Sequence, residues 1–562
     1  MSSLLQTLGI GSRGLSTSET SLSVTGQNIS NANTEGYSRK RIEQTAQYKK
    51  DGAFGQVGYG VQVDEITRMR DVLLDKTIAM NQSDLGMHTQ IDESMTRMEA
   101  LLTEPRDEGL GTALSAFWSS WQDLANNPED VAARQAVINA SQAVVEKFHS
   151  IAGGIQTLRS DEDVLLESKI KDVNKLLERV SIDNKGLVAA EGIEGGKAND
   201  SRDDRQQALK ELSKLIDIDY TEDEKGYVTV TTGGQMIVTP STSVPLTVEK
   251  NPVTLPDGSS FAITSVGLSS TRQPLHPRSG ELAGIIEARD NVIPAMQAKF
   301  DALANALAQN VNAVHRQGFD AQGSTGTNFF DPTKVSAATL ALLPEISKNP
   351  LAVAVGEGGS TRSPAAPVQA TVPPGGTPLD LSQTFDPSYR NLLTGSVVIK
   401  TTDVPPVTLQ EGAGKDYVVD PVTGRISFTN YLANPAGKGI TVDFRYNSGG
   451  SKGAGDGRNA LRISQLKDQL LTNPDWQGTP TSTITDSYAN MVSSFGADHT
   501  TVSSRVGTLG SLDKFYGNQA QSVAGVNLDE EMTNLVKFQH SYQASAKFIS
   551  TASQMLDTLL NL

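Results

Sequence analysis

Both ends of this chain carry a seven-residue apolar repeat, and that feature constrains the fold more than anything between them. Counting by sevens from Leu8 gives Leu8, Leu15, Leu22 and Ile29. The interleaved column, Leu4, Gly11, Ser18, Thr25 and Ala32, is mostly small. From Leu528 the same count gives Leu528, Leu535, Tyr542, Ile549 and Leu556, interleaved with Met532, Gln539, Ala546, Ser553 and Leu560. A heptad stripe is narrow, made for another helix rather than for the broad apolar face of a globular core. The ends are therefore predicted as coiled-coil-like helices. A lone pair of them buries little and needs neighbours, which identical subunits would supply. The two bulky columns are thus the expected polymer interface.

The middle of the chain changes character twice. Residues 60 to 190 space aliphatic residues as a helix does, for instance Ile91, Met95, Met98 and Leu102, or Val173, Leu176, Leu177 and Val180. "NNPED", residues 126 to 130, interrupts them, with Pro128 expected at a helix start. "GYVTVTTGGQMIVTP" sets β-branched runs around Gly-Gly and predicts a hairpin. Helical spacing resumes at Gly280 and runs to a stop at Gly318. From about 320 to 451 the chain is Pro- and Gly-rich with short alternating runs such as "SVVIKTT" and "GITVDFRYN". The fold class expected is a multidomain α+β protein. Residues 1–50 with 525–562 form a terminal helical domain. Residues 51–319 with 452–524 form a helical shaft carrying a small β-hairpin subdomain at about 218–275. Residues 320–451 form an inserted, mainly-β outer domain.

Composition narrows the chemistry. There is no cysteine in the 562 residues, which removes disulfides, thiol catalysis and Cys-ligated metals. A net charge of −16 disfavours a nucleic-acid backbone or an anionic membrane as partner. No segment reaches the length of a membrane span, and "MSSLLQTLGIGSRG" lacks the plan of a cleaved signal peptide. "GIGSRG" at 9–14 matches a dinucleotide-binding fingerprint, but no strand can precede it and the heptad seam runs through it. His88, His149, His276, His315, His499 and His540 show no metal-ligand spacing and are expected to be packing or surface residues. The acidic runs 161–163 and 529–531 are expected at helix starts, where they complement the dipole. Neither a catalytic site nor a cofactor site is expected.

"NISNANTEGYSRK", residues 28 to 40, crowds Asn28, Asn31 and Asn33 before Gly36 and Tyr37. Such Asn bond to nearby backbone and tolerate left-handed geometry, and Gly36 permits positive φ. The segment is expected to end the first helix and turn the chain toward the shaft. It resembles the N-terminal signature of the axial proteins of the bacterial flagellum: rod, hook and hook-associated proteins. "GVNLDEEMTNLVKFQHSYQASAKFISTASQMLDTLLNL" resembles the matching C-terminal signature, and residues 280–331 resemble the hook-associated members.

The resemblance implies an extracellular structural adaptor joining hook to filament as a ring of subunits. The termini would lie innermost and the β domain outward. Export would use the flagellar type III apparatus without a cleaved signal. The implied partners are further copies of the chain, hook protein, hook-associated protein 3 and an export chaperone on the C-terminal helix. Two other readings remain open: another axial protein such as hook protein, and an exported surface-binding module presenting its β domain.

Overall fold

A computed structural model describes residues 2–34, 36–49, 57–102, 109–194, 197–224, 226–254, 260–357, 361–373, 377–386, 389, 392, 395–403, 406–412, 415–420, 424–428, 439–447, 455–472 and 480–560. The helices are α1 (Ser2–Ser30), α2 (Val72–Leu102), α3 (Leu110–Asn126), α4 (Val131–Glu194), α5 (Asn199–Leu215), α6 (Glu281–Glu287), α7 (Ile293–His315), α8 (Pro344–Lys348), α9 (Leu381–Thr384), α10 (Arg458–Ser464), α11 (Ile484–Ala524) and α12 (Leu528–Leu560). The strands are β1 (Lys40–Lys49), β2 (Val57–Arg68), β3 (Asp219–Glu222), β4 (Val228–Thr232), β5 (Gln235–Val238), β6 (Leu246–Thr254), β7 (Ser260–Leu268), β8 (Thr361–Arg362), β9 (Val368–Thr371), β10 (Leu379–Asp380), β11 (Val398–Thr401), β12 (Tyr417–Asp420), β13 (Arg425–Phe428), β14 (Gly439–Asp443) and β15 (Tyr446–Asn447). The fold is multidomain α+β, as its sequence predicts. It divides into two compact units: Met1–Met95 with Ser160–Asp290 and His499–Leu562, and Thr96–Arg159 with Asn291–Asp498.

In the first unit α1 packs on α12 and on the antiparallel hairpin β1–β2, whose register pairs Lys40 with Arg68. Residues 60 to 68 are strand, where the sequence reading expected helix. Gly58, Gly60 and the alternating Val57, Val61 and Val63 suit a pleated ribbon better than a helix. Arg13 donates to the Tyr59 carbonyl at 2.8 Å, and Thr17 donates through its hydroxyl to the Val61 carbonyl at 3.3 Å. The main core of this unit lines α4 residues Leu166, Ile170, Val173, Leu177 and Val180 against Leu209, Leu212, Val230, Ile237 and Leu282. The β4–β5 turn uses consecutive positive φ at Gly233 (55°) and Gly234 (79°), the geometry two-residue hairpins favour. The acidic run 161–163 lies well inside α4 rather than at a helix start. Buried Glu162 accepts from the Ser94 hydroxyl at 2.7 Å, and Asp163 pairs with Arg289 at 2.8 Å.

The second unit concentrates its aromatic residues. Phe117 and Trp121 of α3 meet Phe329 and Phe330, with Trp121 and Phe329 ring centroids 5.2 Å apart. Asn312 of α7 holds the Phe pair in place, its Oδ1 accepting both backbone N–H groups at 2.8 Å. Residues 319–356 thus run against α7. The strand-built core draws on Val368 to Tyr446, with sheet orders β10-β13-β12 and β11-β14-β9. Two helix boundaries differ from the sequence reading. α4 starts at Val131, capped by Asp130 Oδ1 on the Ala132 N–H at 2.8 Å, so Pro128 stays in the connecting turn. A π-turn, Ala288–Val292, separates α6 from α7 just before Pro294, whose ring nitrogen has no N–H to offer the preceding turn.

Candidate functional site

The N-terminal motif folds as a turn and then as the centre of a polar clasp. Asn31 ends α1: its backbone N–H and its side-chain amide both donate to the Gln27 carbonyl at 3.0 Å. Thr34 closes the turn onto Asn31 Oδ1 at 3.2 Å. Gly36 supplies the positive φ, 83°. Among the described residues only Arg272 is a non-glycine with positive φ, so the Asn residues do not use the left-handed geometry expected of them. Asn33 is exposed.

Asn28 is the hub. It is 1% exposed, and its amide fills all four hydrogen-bonding positions. Nδ2 donates to the Lys40 carbonyl at 3.0 Å and to Glu531 Oε2 at 3.1 Å. Oδ1 accepts from the Lys40 N–H at 3.0 Å and from the Tyr37 hydroxyl at 2.8 Å. Glu531 of α12, 2% exposed, takes Arg39 on its other oxygen, from Nε at 2.9 Å and from the terminal nitrogen at 2.7 Å. Arg39 also pairs with Glu530 at 2.8 Å, and its backbone N–H donates to the Ala524 carbonyl at 2.8 Å. Glu530 and then Glu531 hold the Arg39 guanidinium above its ordinary range, and Arg39 holds the Glu530 carboxyl below its own. Burial, with Asp200, Asp203 and Glu531 nearby, pushes the Tyr37 phenol up, so it stays a neutral donor. Ser38 and Arg68 both bond Asp203 at 2.8 Å, and the Lys40 ammonium pairs with Asp200.

Along the α1–α12 seam the inward column is the small one. Gly11, Ser18 and Thr25 are buried, whereas Leu8, Leu15, Leu22 and Ile29 are half-buried. A Cβ on Gly11 would come within 2.6 Å of Ile549, and one on Gly14 within 2.9 Å of the Ser545 hydroxyl. The Ser18 and Ser541 hydroxyls bond at 3.2 Å. Gly11 and Gly14 of "GIGSRG" thus serve close helix approach, whereas a Cβ on Gly9 would meet nothing. In the α12 column, Leu535, Ile549 and Leu556 are half-buried, while Leu528 and Tyr542 are exposed. Met532, Val536, Phe548 and Met555 are exposed as well.

Sequence reasoning found Asn28 and Tyr37 but missed Arg39, Lys40 and Glu531 as their partners. The basic pair and the acidic run were both visible, but nothing local links residues 492 positions apart. The polar groups of the site are occupied by one another. Among the described residues no cluster of His, Cys, Asp and Glu is placed to hold a metal, and no helix is long and apolar enough to cross a membrane.

The family model of the flagellar hook-associated protein FlgK helical domain matches residues 95–330, and that of the flagellar basal body rod FlgEFG protein C-terminal region matches 518–562. The chain is 25% identical to flagellar hook-associated protein 1 of Bacillus subtilis, over all of this chain and 99% of that one. It is 26% identical to flagellar hook-associated protein 1 of Salmonella typhimurium and 27% identical to that of Escherichia coli, over 98% of each chain. The flagellar hook junction protein FlgK of Burkholderia pseudomallei shares the fold: TM-score 0.57 at 18% identity, over 80% of this chain and all of that one. With one family model on its helical middle, another on its C-terminus and relatives matched end to end, the chain is similar over its whole length to flagellar hook-associated protein 1.

Proposed function

We propose that this chain is a structural adaptor of the bacterial flagellum. It sits at the junction of hook and filament and is built into it through its terminal helices. One observation carries the reading. α12 rests its inner side on the small face of α1 yet leaves Leu528, Met532, Val536, Tyr542, Phe548 and Met555 exposed. So many apolar side chains on one terminal helix of an acidic chain mark a surface that awaits a protein partner. The partners proposed are further copies of the chain, hook protein, hook-associated protein 3 and, before export, a chaperone on α12. The role is structural, with no reaction catalysed.

A cell lacking this chain, complemented with a labelled copy, tests the proposal. The label is expected as one short band at the distal end of the hook, with filaments restored. Label spread along the whole hook would favour the hook-protein reading. Filaments attached without the chain would overturn the adaptor reading.

A further inference from the structure

The α1–α12 seam has an unusual property: little in it selects an axial register. Its α1 side offers Gly11, Gly14, Ser18 and Ser21, and its α12 side meets Gly11 with Ile549, Gly14 with Ser545 and Ser18 with Ser541. Sliding α12 by one turn toward the C-terminal end of α1 sets Ile549 opposite Gly14, Ser545 opposite Ser18 and Ser541 opposite Ser21, which a surface of glycine and serine accepts sterically. Among these contacts only Ile549 on Gly11 brings a large side chain, and Gly14 offers it a second notch one turn along, so the interlocking that fixes register in ordinary coiled coils is weak here. At one end of the seam, however, sits a buried carboxylate with both oxygens committed. Glu531 receives Asn28 at 3.1 Å and Arg39 at 2.7 and 2.9 Å. Neither donor can follow a slide. Asn28 is also bonded to both backbone groups of Lys40, at 3.0 Å each, and Arg39 is anchored through its N–H to the Ala524 carbonyl. A one-turn slip, about 5.4 Å, would carry the carboxylate off its donors and leave it buried without a partner.

We propose that Glu531, clasped by Asn28 and Arg39, is the residue that sets the register of the terminal helix pair. The seam supplies adhesion and the clasp supplies address. The inference concerns one chain by itself and stands whether or not the assembly proposal does.

The absence of native cysteine makes the test clean, because any disulfide is an introduced one. In the full-length protein, Ser18→Cys with Ser541→Cys reports the present register. Ser18→Cys with Ser545→Cys reports a register one turn away. With Glu531 intact, only the first pair is expected to cross-link under mild oxidation. In Glu531→Ala the second pair is expected to cross-link to a yield comparable with the first. Arg39→Gln, which leaves α12 unchanged, is expected to do the same and guards against a folding defect peculiar to the Glu531 variant. Cross-linking confined to the first pair in both variants would overturn the proposal. So would loss of both cross-links, which would make the clasp a means of docking α12 rather than of choosing its register. Ready cross-linking of the offset pair with Glu531 intact would also overturn it.

Discussion

At the scale of single residues, an Asn or a Gly is interpreted by what its neighbours leave it to do. Asn28 and Asn33 look alike in sequence, but one fills four hydrogen bonds in the interior and the other is exposed. Asn28→Ala should strand the Lys40 backbone groups, the Tyr37 hydroxyl and one oxygen of Glu531, a loss on the order of 3 kcal/mol. Asn33→Ala should change stability by less than about 0.5 kcal/mol. Denaturant unfolding of both variants checks this, and equal effects would remove Asn28 from its place at the hub. The glycines divide the same way. Gly11→Ala drives a methyl to within 2.6 Å of Ile549 and should destabilise by roughly 1–3 kcal/mol. At Gly507, mid-helix in α11, an added Cβ meets nothing, so Gly507→Ala should stabilise the isolated chain by about 0.5–1 kcal/mol. Melting temperatures that move in the same direction would contradict that contrast. The motif's residue types were legible in sequence; their partners were not, because Glu531 is brought to Asn28 by tertiary packing alone.

Elements were legible where a long period was present and obscured where a short one was embedded in it. The heptads at both ends and the spacing Val173, Leu177, Val180 correctly announced α1, α12 and α4. The hairpin β1–β2 was missed because it is only 10 and 12 residues to a strand and sits between long helices. Its alternation of Val and Gly was too short to stand out against helical spacing beginning a few residues later. The broad face of α7 was visible, but not the work of its last residue. His315 is wholly buried; one ring nitrogen faces the Thr327 carbonyl at 2.8 Å and the other accepts the Ala354 N–H at 2.9 Å. That arrangement fixes the neutral ring with its proton on Nδ1, and burial pushes its pKa down to about 4. The unfolded chain binds this proton below about pH 6.5, so the stabilisation is complete above that value. It is lost as pH falls toward 4, by on the order of 3 kcal/mol. Unfolding of the second unit followed from pH 7 to pH 4 should show this decline. His315→Asn, less stable throughout, should show a flatter profile over the same window. Identical profiles would mean that other groups carry the dependence.

For the whole molecule, the central claim is that folding and assembly are served by different surfaces. The strand core from Val368 to Tyr446 closes on itself. Residues 361–447 expressed alone are therefore expected to give a soluble, β-rich domain that unfolds cooperatively, whereas a disordered spectrum would contradict that independence. The terminal pair is the other case, folded inward through small residues and apolar outward. Met532 is 51% exposed, in the second turn of α12. Met532→Asp removes little packing from the isolated chain and places a negative charge near a helix N-terminus, where it is tolerated. Thr533→Asp, about 100° round the same helix, is the control. The decisive measurement is incorporation of each labelled variant at the hook tip, set beside its melting temperature as a monomer. The account predicts that Met532→Asp melts like the parent but fails to incorporate and leaves filaments unattached, while Thr533→Asp does both normally. Normal incorporation of Met532→Asp would contradict it, because the outward face of α12 would then have no part in assembly.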